Sequence, residues 1–118
     1  MRGEGSVRIK GSVKANFTRK MHMAKGYIVG NLTVLDVEGY KAYAAAATEA
    51  QKIYGGRPIV RGGKCEIVEG EARMRQVVLE FDSYEQAKTY FFSPEYQAAR
   101  KLRNGISIGD LVVVEGVE

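Results

Sequence analysis

The stretch from Tyr54 to Gly63, Tyr-Gly-Gly-Arg-Pro-Ile-Val-Arg-Gly-Gly, decides the fold of this chain. Its first glycine pair ends a helix, because glycine adopts the left-handed conformation that closes a helix C-terminus. A strand begins at Arg57 and is interrupted at the second glycine pair. Further along, Ser93 and Pro94 start another helix, since serine is a good cap and proline is favoured at the first helical position. The two segments therefore fix the order of strands and helices.

The residues around these segments predict four strands and two main helices. Strands are expected at Tyr27–Leu35, from Arg57 with a continuation at Cys65–Val68, at Arg73–Phe81 and at Ile108–Val114. Helices are expected at about Val37–Tyr54 after the N-cap Asp36, after Ser83 with Gln86 in a capping box, and from Pro94 to Asn104-Gly105. The order β-α-β-β-α-β is that of the ferredoxin-like split βαβ arrangement. We therefore predict an α+β fold, with a four-stranded antiparallel sheet covered by helices on one face.

The two faces of the predicted sheet differ in composition. Ile28, Leu32 and Val34 alternate along the first strand, and Val77, Leu79 and Phe81 along the third, so we assign these apolar sets to the helix side. The other face mixes apolar with polar side chains: Tyr27, Val29, Met74 and Val78 with Asn31, Thr33, Gln76 and Glu80. So much apolar surface predicts a partner, and a second copy is the commonest one.

Charge divides the 118-residue chain into two parts. Residues 1–25 contain seven Lys/Arg and one Glu, a net charge of +6, and residues 26–118 contain eleven Lys/Arg and thirteen Asp/Glu, a net of −2. We interpret residues 1–24 as a basic flexible leader and residues 25–118 as the single domain. Since the domain lacks a cationic surplus, nucleic acid is not an expected partner.

Several site classes are not expected. The one cysteine, Cys65, and the one histidine, His22, are too few for a zinc site, and the domain offers no histidine to a haem. We therefore predict no metal and no cofactor. No apolar run reaches the length of a membrane span, and a lone cysteine fits a reducing compartment, so we predict a cytoplasmic protein without membrane contact.

A set of spaced motifs carries a family resemblance. The motifs, in order, are Asp36…Tyr40…Tyr43, Gly55-Gly56, Arg61-Gly62-Gly63, Glu69-Gly70, Glu80-Phe81, Ser93-Pro94-Glu95-Tyr96 and Arg103. Over residues 25–117 the chain resembles a bacterial domain-of-unknown-function family of the dimeric α+β barrel superfamily. The resemblance implies a homodimer in which two sheets face each other and enclose a cleft. It implies no activity.

Polar residues on the otherwise apolar sheet face are candidates for lining that cleft. Glu80 is the candidate catalytic base, because partial burial raises the pKa of a carboxyl group towards the range of proton abstraction. A salt bridge from Glu80 to Arg61, Arg75 or Arg103 is the structural alternative. Candidate substrate-binding residues are Arg61, Asn31, Thr33, Tyr43, Gln76, Tyr96 and Arg103.

Three functions compete. We favour a homodimer that binds a small organic molecule in the cleft, with Arg61 suited to an anionic one. The alternatives are a cofactor-free isomerase or monooxygenase with Glu80 as its base, and a structural or regulatory dimer without catalysis. An unpaired Glu80 in an open pocket favours the enzyme, and a closed interior with Glu80 bidentate to an arginine favours the structural dimer.

Overall fold

The computed structural model describes residues 24–118, so the predicted leader lies outside the described residues except for Ala24, which is buried. The strands are β1 (Gly26–Val34), β2 (Arg57–Arg61), β3 (Arg75–Phe81) and β4 (Ser107–Glu115). The helices are α1 (Val37–Tyr54), α2 (Tyr84–Phe91) and α3 (Pro94–Lys101). The elements follow one another in the predicted ferredoxin-like order, with α3 as a short additional helix.

The four strands form one open antiparallel sheet in the order β2-β3-β1-β4. β2 and β3 pair as a hairpin, and β1 lies between β3 and β4. Opposite Gly30 on β1 lie Val77 on one side and Leu111 on the other. This register decides which side chains share a face of the sheet.

The predicted continuation of the second strand at Cys65–Val68 is wrong. Gly62 has a φ of 68°, so the chain turns there, and its amide donates the last bond of the hairpin to the Gln76 carbonyl (2.8 Å). β3 begins at Arg75 rather than at Arg73, so no paired strand lies opposite the segment. Residues 62–74 consequently form a loop, in which Cys65 is half-buried.

The predicted helix starts are confirmed. Asp36 accepts a hydrogen bond from the Gly39 amide (3.1 Å), Ser83 from the Gln86 amide (3.0 Å), and Ser93 from the amide two residues after Pro94 (3.1 Å). The capping box at Ser83 is only half formed, because the Gln86 side chain donates to the Tyr54 carbonyl (2.7 Å) instead. That bond ties the start of α2 to the end of α1.

The predicted helix ends are confirmed in one case and corrected in the other. Gly55 ends α1 with a φ of 77°, as expected from its glycine pair. α3 ends at Lys101, three residues before Asn104, because Leu102 and Arg103 donate to carbonyls only three residues back. Such bonds tighten the last turn of a helix and stop its continuation.

The core lies between the helices and the face of the sheet to which we assigned the apolar sets. Ile28, Leu32, Leu79 and Phe81 are all buried there. The buried residues that the helices contribute are Tyr40, Tyr43, Ala47, Ala50, Ala87, Tyr90, Tyr96 and Ala99. Aromatic rings are prominent in this core, and Phe81, Tyr90 and Tyr96 stack in succession with centroids 5.1 and 4.9 Å apart.

No helix formed by residues 24–118 covers the opposite face of the sheet. Register places Val60, Val78, Val29 and Val112 side by side across all four strands on this face. In β4, Val112 and Val114 are exposed, whereas Leu111 and Val113 pack against the core. We call this surface, lined by the four aligned valines, the open sheet face.

Candidate functional site

A cleft lies between α1 and the helix-facing side of the sheet. It encloses about 590 Å³, including the space that opens to solvent at its mouth. Its apolar lining comes mainly from the sheet: Ile28, Gly30, Leu32, Val77, Leu79 and Leu111. Two arginines and four tyrosines also line it, so an apolar cavity presents a small number of polar groups, as ligand sites commonly do.

Arg75 and Arg61 form the cationic part of the cleft. The Arg75 Nε donates to the Tyr40 hydroxyl (3.3 Å), and its guanidinium lies over the Tyr40 ring, 5.0 Å from the centroid. Gly62 makes room for it, because a Cβ atom at that position would collide with the guanidinium. Arg61 stands opposite Val77 on the neighbouring strand, diagonal to Arg75 on the same face. Both side chains therefore reach the cleft from the sheet.

A second polar group consists of two tyrosines and an arginine behind them. The hydroxyls of Tyr43 and Tyr96 are 3.0 Å apart, and Arg103 Nη2 donates to the Tyr96 hydroxyl (3.3 Å). Burial and the adjacent Tyr96 hydroxyl raise the pKa of Tyr43 well above its usual value. Burial alone lowers the pKa of Arg103, but the hydrogen bond to Tyr96 and the adjacent Tyr96 and Tyr43 hydroxyls together outweigh burial and raise this pKa. Tyr43 therefore stays neutral and Arg103 stays charged near neutral pH.

The Tyr90 hydroxyl is buried without a hydrogen-bond partner among the described residues. The residue lines the cleft and is only 1% exposed. Burial raises the pKa of Tyr90, while the Gln51 amide, which lies beside it without the geometry of a hydrogen bond, lowers it in part. A buried hydroxyl without a partner is costly, and a ligand oxygen in the cleft could satisfy it.

The cleft has a positive electrostatic character. The described residues that line it include no aspartate or glutamate. Within residues 24–118, no carboxylate oxygen lies within 4.0 Å of the side-chain nitrogens of Arg61, Arg75 or Arg103. Each arginine thus brings charge to the cleft or its wall without an acidic neighbour to neutralise it.

The structure divides the predicted site residues between the two faces of the sheet. Arg61, Tyr43 and Tyr96 line the cleft, and Arg103 supports it from behind. The remaining candidates lie on the strand positions of the open sheet face: Asn31, Thr33, Gln76 and Glu80. The predicted residues therefore do not form one site within a single chain.

Glu80 is held in place by its neighbours on the open sheet face. Its Oε2 accepts from the Tyr27 hydroxyl (3.2 Å), and its Oε1 accepts from Arg57 Nε (3.2 Å). The carboxylate is thus paired with arginine, although the partner is Arg57 and none of the three arginines that the sequence suggested. Arg57 also contacts Asp82 (3.2 Å), so one guanidinium connects two carboxylates at this edge.

Polar neighbours also hold Thr33 and Gln76. Arg73 Nη1 donates to the Thr33 hydroxyl (3.1 Å), and the Gln76 side chain donates to the Arg73 carbonyl (2.6 Å). Both contacts lie within the chain, where they fix the start of β3 against β1.

Sequence reasoning missed Arg75, Tyr40, Tyr90 and Gly30 as cleft residues. A signal for Arg75 was present, because it belongs to the alternating set of Val77, Leu79 and Phe81 that was assigned to the helix side. A charged residue in an otherwise apolar row is unusual, since buried charges need a partner. Gly30 carried a similar signal, as a glycine between two buried positions of a strand.

Residues 24–118 form neither a metal-binding cluster nor a helix suited to a membrane. Among residues 24–118, no group of three or more His, Cys, Asp or Glu side chains could hold a metal ion. None of the helices described there combines the length and the apolar composition that crossing a bilayer requires.

Solved structures share the fold of this chain. RPA0582, a protein of unknown function from Rhodopseudomonas palustris, is 15% identical, with a TM-score of 0.66 over 91% of this chain and 95% of that one. Its methylated form is also 15% identical, with a TM-score of 0.65 over 94% and 96% of the two chains. A dimeric ferredoxin-like protein of unknown function from Bacteroides fragilis NCTC 9343 is 20% identical and reaches a TM-score of only 0.45, over 79% and 95%.

Sequence families give a direct assignment. No curated protein matches this chain significantly. The family model described as domain of unknown function DUF1330 matches residues 25–117, the range over which the motifs carried the predicted resemblance. The chain therefore belongs to the DUF1330 family.

Proposed function

We propose that this protein binds a small anionic organic molecule in the cleft between α1 and the sheet. One observation carries the proposal: Arg61 and Arg75 line a mostly apolar cleft to which the described residues contribute no carboxylate. Arg75 is half-buried and Arg61 is exposed, so an anion that enters the cleft meets two guanidinium groups and no competing negative charge from these residues. A ligand carboxylate, enolate or phenolate would be such an anion.

The chemistry of the lining suits an anion in further respects. A guanidinium can donate two parallel hydrogen bonds to a carboxylate, which fixes its orientation as well as its charge. Tyr40 contacts the Arg75 side chain on one side, so the Arg75 guanidinium is partly ordered before a ligand binds. The neutral hydroxyls of Tyr43 and Tyr90 add hydrogen-bond donors without adding negative charge.

The proposed site differs in place from the cleft that the sequence suggested. That cleft was expected between the two sheets of a dimer, on the face that carries Asn31 and Glu80. The cavity of the single chain lies on the other face, under α1. For this reason the binding proposal rests on Arg61, Tyr43 and Tyr96 from the predicted set, with Arg75 and Tyr90 added.

No observation favours the enzymatic alternative with Glu80 as base. Both oxygens of that carboxylate are engaged, by Arg57 and Tyr27, on the face opposite the cleft. A molecule bound under α1 is separated from Glu80 by the sheet itself. Isomerase or monooxygenase activity therefore stays a prediction from the sequence.

The open sheet face supports the proposal that the protein is a homodimer. The aligned valines Val60, Val78, Val29 and Val112 form a continuous apolar row across the sheet. Covering this row with the same row of a second copy would remove apolar surface from water on both chains. Two sheets packed in this way would form the dimeric α+β barrel, and the single cysteine fits a cytoplasmic location.

Replacing Arg75 with glutamine is expected to weaken carboxylate binding roughly 10- to 100-fold, since hydrogen bonds to charged groups contribute about 1.5–3 kcal/mol. Isothermal titration with acetate, hexanoate, benzoate and 4-hydroxybenzoate measures the effect, and the neutral 4-hydroxybenzamide tests the need for charge. Arg57→Gln is the matched control, because Arg57 lies on the other face and pairs with Glu80. Failure of every carboxylate to bind, or equal weakening by both variants, would contradict the proposal.

A further inference from the structure

Gly30 is a glycine that the fold itself does not require. It lies in the interior of β1 on the helix-facing side, where glycine lowers strand stability. The three atoms nearest to a Cβ atom there would be Leu111 Cγ at 3.4 Å, the Asp110 carbonyl oxygen at 3.7 Å and Leu111 Cδ1 at 3.8 Å, all ordinary contacts. Its backbone angles do not lie in the left-handed region either.

Two other glycines of the sheet show the contrast. A Cβ atom on Gly26, at the start of β1, would collide with the Ser83 carbonyl. Gly109 on β4 has a φ of 156°, and a Cβ atom there would collide with the Asn31 carbonyl. Packing explains these two positions, whereas only the space of the cleft explains Gly30.

The absence of a side chain at Gly30 leaves its backbone open to the cleft between larger side chains. Val77 and Leu111 flank it on the neighbouring strands. On the opposite wall, α1 presents the small side chains of Ala44 and Ala47 together with larger residues of the same helix. The part of the cleft over Gly30, which we call the slot, therefore suits a flat group better than a puckered ring or a branched chain.

Polar groups lie at the two ends of this slot. The floor of the cleft runs along β1 from Leu32, which is opposite Arg75, to Ile28, which is opposite Leu79. At the usual rise per strand residue, this distance is about 13 Å. Tyr90 packs against Phe81, which is opposite Gly26, so Tyr90 lies towards the end of the strand away from Arg75. Its buried hydroxyl lacks a partner among the described residues.

We infer that the ligand is a flat aromatic or conjugated carboxylate that carries an oxygen at the end away from its carboxylate group, and that Gly30 determines this specificity. The inference rests on the proposed function. The carboxylate binds Arg75 with Arg61 nearby, the planar body lies over the Gly30 backbone between Val77 and Leu111, and the distal oxygen pairs with the Tyr90 hydroxyl.

Four compounds separate these features by isothermal titration of the full chain. 4-Hydroxybenzoate and trans-4-hydroxycinnamate are flat, anionic and hydroxylated, trans-4-hydroxycyclohexanecarboxylate has a puckered ring, and benzoate lacks the hydroxyl. At least one of the two flat hydroxylated acids is expected to bind at least tenfold more tightly than the puckered acid and several-fold more tightly than benzoate. Equal affinity for the flat and puckered acids would overturn the inference.

Variants of Gly30 test its role directly. Gly30→Ala is expected to weaken binding of the tighter flat acid several-fold, and Gly30→Val more than tenfold. The melting temperature of Gly30→Ala should equal or exceed that of the parent, because alanine suits a strand interior better than glycine. Gly63→Ala is the control, since nothing lies within 4 Å of its added Cβ atom. Unchanged affinity in a folded Gly30→Val variant would contradict the role of Gly30 in specificity. If the valine variant does not fold, unchanged affinity in Gly30→Ala would contradict that role.

Tyr90→Phe tests the distal contact. This variant should bind benzoate as the parent does and lose the preference for the hydroxylated acid, and a retained preference would overturn the assignment of that end. The outcomes also separate the two proposals. If flat and puckered acids bind equally and Arg75→Gln weakens the binding of both, the proposal of anion binding is supported and the inference of a flat ligand is contradicted. If no carboxylate binds, the proposal and the inference are both contradicted.

Discussion

Aspartate at both Val29 and Val78 is expected to abolish the proposed homodimer and leave a monomer. The two valines are directly paired across β1 and β3 at the centre of the open sheet face. In a dimer built on this face, each copy would bury two carboxylates against those of its partner. Because an unpaired buried charge is strongly unfavourable, association should be lost at micromolar concentrations. Analytical ultracentrifugation measures the change as a halving of the mass.

A matched control places two aspartates on the helix layer. Val37 and Ile53 are exposed apolar residues of α1, on the side of the sheet that the proposed dimer leaves free. Val37→Asp with Ile53→Asp should leave the mass unchanged. If the Val29/Val78 variant is still a dimer, the interface lies on another surface. The same conclusion follows if the control variant also dissociates.

Phe81→Ala is expected to lower the free energy of unfolding by about 3–5 kcal/mol, the usual cost of removing a buried aromatic side chain. Phe81 is 0% exposed, packs on the Tyr90 ring and lies close to Gly56, where a Cβ atom would approach its ring to 2.7 Å. No neighbour can readily fill the space, since close packing leaves a cavity after such a deletion. Thermal unfolding should show a fall in melting temperature of at least roughly 12 °C.

Phe92→Ala provides the comparison for that measurement. Phe92 follows α2 and is 68% exposed, so its removal should change the free energy of unfolding by no more than about 0.5 kcal/mol. Similar melting temperatures for the two variants would show that Phe81 does not anchor the core. Both variants retain the residues of the open sheet face, so the proposed dimerisation should be the same in both.

The helix boundaries were predictable where a short local signal decides them. Asp36, Ser83 and Ser93 act as N-caps within their own turns, and Gly55 ends α1 through its own backbone angle. The failures at Cys65–Val68 and at the Ser83 capping box have a different origin. A strand at Cys65–Val68 would form only if β3 extended far enough to pair with it. At Ser83, the Gln86 side chain instead donates to the Tyr54 carbonyl of another helix. Both outcomes depend on residues distant in sequence.

The candidate site was harder to predict than the fold. Alternation along β1 and β3 assigned residues correctly to the two faces, as the burial of Ile28 and Leu79 shows. It could not show on which face a cavity would form, because a cavity depends on how far α1 stands from the sheet. Small residues at Gly30, Ala44 and Ala47 set that spacing jointly, and they belong to two elements. Glu80 was matched to the wrong arginines because its partner, Arg57, is brought opposite it by the register between β2 and β3, which contains an irregularity that the sequence does not reveal.

The two faces of β1 also determine which genetic changes the protein can tolerate. Ile28, Gly30 and Leu32 belong to the cleft side, and Val29 and Asn31 belong to the open sheet face. Losing or gaining one residue within the strand would exchange these sets, since neighbouring side chains point to opposite faces. Cleft and proposed interface would be lost together, although every residue type remained. The loop of residues 62–74 has no such alternation to preserve, so homologues should differ in length there and keep the length of β1 constant.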